Sequence, residues 1–217
     1  MKKKSLHLHC LIILFVFTGM MSQPCFSAGE EFLAAMSDWP PHIIFNAEGT
    51  EAGGIDVEIL KELAKRANFR LRCERYPFKR CLMMLEEGKA DIVCSLLKRP
   101  EREQFLTFIE PPYFTDSAKV FYLQKGKGSL IRKHEDLCNL NIGVTLGFKY
   151  FPLFEDDPKI RKRVAETNAD LPKMLAKGRV DAFIETETVG DSLIVNEGFK
   201  GQFEKAAFRY YIFYRSG

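Results

Sequence analysis

Residues 85–114 read LEEGKADIVCSLLKRPEREQFLTFIEPPYF, and the order of parts within them decides the fold. A helix ends at Leu85, Gly88 stops it, and residues 91–95 form a short apolar strand. A cationic turn follows at 98–102, then an aromatic Pro-Pro-Tyr-Phe segment at 111–114. A charged turn just past the carboxyl end of a buried strand is where open α/β sheets place their ligands.

The same local grammar occurs twice. Leu85-x-x-Gly88-Lys89-x-Asp91 returns as Leu175-x-x-Gly178-Arg179-x-Asp181. Helix–Gly–strand corners are common, but matching positions in the same order predict two similarly built α/β lobes. Two lobes joined by extended segments leave a cleft between them that binds small molecules and closes by hinge motion.

Outward from that stretch, the pattern alternates between the two periods. Residues 32–36 are a short apolar strand, followed by the rigid Trp39-Pro40-Pro41 loop and a Gly-rich turn at 45–54. A helix starts near Asp56, with Ile55, Ile59, Leu60, Leu63 and Ala67 on its inner face and Asn68 as its stop. Residues 69–74 form a strand, and Pro77 opens the next helix, which turns Cys81, Leu82 and Leu85 inward. Strand, helix, strand, helix, strand is the order of a parallel α/β sheet. In the second half, 119–123, 141–144, 164–165, 180–184 and 208–213 are predicted strands. Gly147 opens one helix, Asn168 caps another, and 186–196 is a third. The expected organisation is a first lobe at 29–124, a second at 125–207, and the start of a hinge strand at 208–217.

The chain begins as a secretory signal peptide, with Lys2, Lys3 and Lys4, an apolar run at 11–21, and small residues Ser27 and Ala28. Cleavage near Ser27/Ala28 places the mature chain in the periplasm. Removing 1–28 takes three Lys and no acids from 32 basic and 29 acidic residues, so the mature chain is close to neutral. That removes the electrostatic basis for a nucleic-acid or membrane-surface partner. Cys73, Cys81, Cys94 and Cys138 remain in an oxidising compartment, and their three possible full pairings stay open. No Cys or His spacing points to a metal, and no cofactor motif is present.

The ordered motifs resemble the family 3 extracellular solute-binding proteins. Trp39-Pro40-Pro41, Gly54-Ile55-Asp56-Val57, Leu85 to Asp91, Pro100-Glu101-Arg102, the aromatic segment ending at Tyr113, and Ile142-Gly143-Val144 with Gly147 carry the likeness. The resemblance implies a two-lobed periplasmic binding protein type II fold with a cleft between the lobes. It also implies a C-terminal segment that returns to the first lobe; here the sequence stops about where that return begins.

The resemblance assigns roles to particular residues. Arg102 matches the arginine that clamps a ligand α-carboxylate, a role suited to its paired donors and fixed charge. Lys98 or Arg99 adds to an acidic-group site. Trp39 and Tyr113 match aromatic positions that pack on the ligand. Phe148 stands where a threonine is common after the second-lobe glycine. The family's second-lobe aspartate, which receives a ligand ammonium, corresponds to Thr186, with Glu185 or Glu187 as substitutes.

These features point to a binding protein for a small polar solute, an amino acid or another organic acid, with an ABC permease or a sensor as membrane partner. The alternatives are an enzyme on the same scaffold, dehydratase-like, or a degenerate non-transport relative. Glu101, Glu110, Glu185 and His42 are the available acids and bases, and none has a spacing that demands catalysis.

Overall fold

The computed structural model describes residues 29–113 and 116–213. The expected signal peptide at 1–28 and Phe114 lie outside them.

The first lobe is built on β1 (Glu31–Met36), paired in parallel with β4 (Arg70–Arg75). Its side chains alternate between two small cores, as strand geometry requires. Leu33 and Ala35 meet Cys81, Met84 and Leu85 of α2 (Phe78–Glu86). Ala34 and Met36 meet Val57 and Leu60 of α1 (Ile55–Ala67). A short hairpin of β2 (Ile44–Phe45) and β3 (Ala52–Gly53) leads into α1.

Two expectations for this lobe are corrected. Residues 91–95 make a single bridge, Ala34 to Ile92, instead of a full strand. The chain leaves the sheet there because Ser95 takes a left-handed conformation, φ 52°. The buried face of α1 is Asp56, Val57, Leu60 and Ala64, while Ile55 and Leu63 are about half exposed. The helix is rotated because Asp56 turns inward to polar partners described below.

The second lobe holds a five-stranded sheet ordered β7-β6-β8-β5-β9. These strands are β5 (Asp116–Gln124), β6 (Asn141–Thr145), β7 (Arg161–Ala165), β8 (Ala182–Thr186) and β9 (Phe203–Phe213). The sheet is mixed, not parallel throughout: β6 pairs in parallel with β7 and β8, and β5 is antiparallel to β8 and β9. Strand β5, expected as a strand leaving the first lobe, hydrogen-bonds within this second sheet. Residues of β5 and β8 alternate between two cores, with Phe121, Leu123, Ala182 and Ile184 on one side and Val120, Tyr122 and Phe183 on the other.

The helices of this lobe also begin later than the sequence suggests. The helix expected at Gly147 is α4 (Pro152–Asp156), with Pro152 at its first turn. Asn168 does not cap α5 (Asp170–Ala176); its side chain bonds to the first lobe instead. Helix α6 (Glu187–Asn196) follows β8 directly. The repeated corner is the same in both lobes, with Gly88 at φ 65° and Gly178 at φ 64°. A left-handed turn of this kind favours glycine.

Candidate functional site

A cavity of about 670 Å³ lies between the lobes, within the size range of small-molecule sites. Part of its lining is apolar and includes Ile59, Leu63, Phe105 and Ile109. The lining also includes Trp39, Ser95, Arg102 and Tyr113 from the first lobe and Lys119 and Thr186 from the second.

The loop carrying Trp39 is fixed from several directions. Asp38 accepts the Phe45 N–H at 2.9 Å and pairs with Arg75 at 2.6 Å. Its carbonyl accepts Asn168 Nδ2 from the second lobe at 3.0 Å. The Trp39 ring stacks on His42 with centroids 4.7 Å apart. Beneath it, Asp56 sits 3.2 Å from His42 Nδ1 and accepts the Ser95 hydroxyl at 2.5 Å. Tyr113 adds its hydroxyl 3.0 Å from Ser95 Oγ. This chain from His42 through Asp56 and Ser95 to Tyr113 was not legible in the sequence, although an acid at the start of an apolar helix face is its signal.

Arg102 lies on the short helix α3 (Pro100–Glu103), which Pro100 opens in the first turn. It lines the cavity at only 5% exposure and donates to the Leu97 carbonyl at 3.0 Å. Its two cationic neighbours point elsewhere. Lys98 is at the surface, paired with Glu110 at 3.1 Å and Glu103 at 3.6 Å. Arg99 reaches across to the second lobe and donates to the Tyr150 carbonyl at 3.2 Å.

On the second lobe, Phe148 lines the cavity and packs edge-on against Phe78 at 4.5 Å. Together with the Asn168–Asp38 and Arg99–Tyr150 bonds, this contact holds the lobes against one another. Thr186 also lines the cavity, and the Lys119 ammonium donates to its Oγ1 at 2.5 Å. Glu185 is fully buried and is not part of the lining. Its Oε1 accepts the Thr186 N–H at 2.7 Å, and its Oε2 has no hydrogen-bond partner. Burial pushes the Glu185 carboxyl up, and Lys119 pulls it back in part. The Trp39 indole also favours its charged form, although its N–H falls short of a hydrogen bond. Glu187 faces away, held by Lys205 at 2.8 Å and Arg209 at 3.3 Å. Lys119 escaped the sequence reading; its signal is one charge inside the otherwise apolar run AKVFYL.

Comparison with known proteins follows the same lines. The model for bacterial extracellular solute-binding proteins, family 3, matches residues 33–186. The chain belongs to this family. A probable histidine-binding protein of Neisseria gonorrhoeae is 27% identical over 186 residues, covering 82% of this chain and 67% of that protein. A probable amino-acid-binding protein of Bacillus subtilis, YxeM, is 27% identical over 146 residues, covering 65% of this chain and 54% of its own length. Among solved structures, truncated arginine-bound ArgBP from T. maritima superposes with a TM-score of 0.73 at 22% identity, over 85% of each chain. The fold is therefore the two-lobed periplasmic binding protein type II fold.

Within this family member, all four described cysteines are free thiols. Burial pushes Cys81 and Cys94 up to about 12, so both behave as small apolar groups. Among the described residues, no cluster of His, Cys, Asp or Glu is arranged to hold a metal, and no helix is long and apolar enough to cross a membrane.

Proposed function

We propose that the protein is a periplasmic solute-binding protein that captures a small carboxylate-bearing solute, an amino acid or a related organic acid, and presents it to the permease of an ABC importer. The observation that carries this is Arg102. Its guanidinium lies in the wall of the interlobe cavity, where its planar fork can offer paired, permanently charged donors to an incoming carboxylate. Trp39 and Phe148 provide flanking apolar surface. Relatives named for histidine and amino-acid binding support the solute class. The protein performs no chemistry in this reading. His42, the nearest candidate base, is buried behind Trp39 and outside the cavity lining.

A thermal-shift screen tests the reading with the common amino acids, short dicarboxylates and 2-oxo acids. A ligand at ~100 times its dissociation constant adds about 2.7 kcal/mol of stability, enough to raise the melting midpoint clearly. A selective shift with one solute is expected. A cooperative melt that none of these solutes moves overturns the assignment.

A further inference from the structure

The second-lobe wall of the cleft carries a buried cation. Lys119 on β5 and Thr186 at the end of β8 are register partners. The ammonium donates to Thr186 Oγ1, its one hydrogen bond among the described residues. An ammonium carries three N–H donors, so among the described residues two have no hydrogen-bond acceptor, on a residue only 6% exposed. The Tyr150 ring lies 5.9 Å away and supplies no acceptor to complete the set. Burial pulls the Lys119 ammonium toward its neutral form, and the nearby Glu185 carboxylate opposes this.

Among the described residues, the acids near this wall are already engaged or set back from it. Asp56 holds the Ser95 hydroxyl and lies against His42. Glu187 is paired with Lys205 and Arg209 on the far side. Glu185 is buried behind the lining, with Lys119 standing beside Thr186 at the surface of the cleft. A ligand ammonium brought here would meet a like charge. A ligand oxygen would instead complete the coordination of the Lys119 ammonium.

We propose that Lys119 makes the second-lobe wall a binding point for an oxygen acceptor. The ligand is then a small organic acid with carboxylates toward both walls, one on Arg102 and one on Lys119, and no α-ammonium group. The inference rests on the solute-binding reading above and narrows its substrate class. Lys119 acts by direct contact; Glu185, which stabilises its charge, is a positioning residue.

The test is calorimetric titration of the purified protein with pairs that differ only in the amino group: succinate against aspartate, and glutarate against glutamate. Histidine, arginine and glutamine complete the panel. The expected result is that one diacid binds at least about tenfold tighter than its amino partner, and that Lys119→Met weakens it about thirtyfold or more. Lys119→Met leaves Glu185 buried without its cation, so Lys119→Met/Glu185→Gln is titrated beside it as a variant that keeps the wall neutral. The same loss is expected there, with a cooperative melt retained. An amino acid that binds as tightly as its diacid partner overturns the proposal and leaves the solute-binding reading intact, as does binding of histidine, arginine or glutamine alone. Diacid affinity that survives in the double variant also overturns it. A panel in which nothing binds overturns the proposal, while the solute-binding reading falls only if the wider thermal-shift screen is also silent.

Discussion

The Asp181 carboxylate accepts the backbone N–H of Asn141 at 2.8 Å, fastening the start of β8 to the start of β6. Asp181 returns its own N–H to the Asn141 carbonyl at 2.9 Å. Asp91 does the same to Leu33 in the first lobe, with its carboxylate at 2.8 Å and its N–H at 2.9 Å. The repeated corner therefore works as a clasp onto the neighbouring strand in each lobe, β1 in the first and β6 in the second. Asp181→Ala should cost about 1 kcal/mol in urea unfolding. Asp91→Ala should cost more, because its bond is less exposed. An unchanged midpoint in both would make the clasp incidental.

Gly190 marks the place where α6 lies directly on β5. A Cβ built there would stand 2.3 Å from the Tyr122 ring. Tyr122 cannot retreat: it stacks on Phe183 at 4.8 Å, and its hydroxyl lies 2.8 Å from the Glu187 carbonyl. Gly190→Ala gains helix propensity of about 1 kcal/mol, but overpacking costs about 1–3 kcal/mol. Net destabilisation is expected in a thermal melt, and a more stable variant would show that α6 lifts off freely.

The fold was legible where one physical rule acts alone. The helix ending at Gly88 and the one ending at Gly178 follow from periodicity and a left-handed stop. Strand β5 was read as leaving the first lobe, but its partners were not legible, because pattern gives a strand its existence, not its partner; register with β8 and β9 decides that. The inner face of α1 was misread because Asp56 overrides hydrophobic periodicity through His42 and Ser95. Arg102 and Trp39, which line the cavity, were picked out by motif order. Lys119 was not, since its significance depends on Thr186, which is distant in sequence and adjacent only across the sheet.

Acid should weaken one surface element in a predictable direction. Asp136 accepts the N–H groups of Arg132 at 2.8 Å and Lys133 at 3.1 Å, and these bonds hold its carboxyl below the usual aspartate range. A depressed folded pKa contributes stability above the unfolded value of about 3.9 and loses it as pH falls through the folded value. The stability gap between the wild-type protein and Asp136→Ala should thus be constant from about pH 5 upward and close below about pH 4. A gap that persists at lower pH would assign the effect to packing instead of charge.

Arg102 separates binding from folding most directly, because its guanidinium makes a structural bond and also lines the cavity. It holds the Leu97 carbonyl at 3.0 Å, so Arg102→Ala should lower the melting midpoint slightly and loosen the turn before α3. If it also receives the ligand carboxylate, truncation should cost about 2–5 kcal/mol of binding free energy, well beyond the loss in stability. Arg102→Lys keeps the charge but loses the planar fork, so affinity should fall by an intermediate amount. The order wild type, Lys, Ala in affinity, with three similar melting midpoints, is the expected outcome by calorimetry. Equal affinity in all three would move the acidic group away from α3, leaving Lys119 as the cation beside it in the cavity wall.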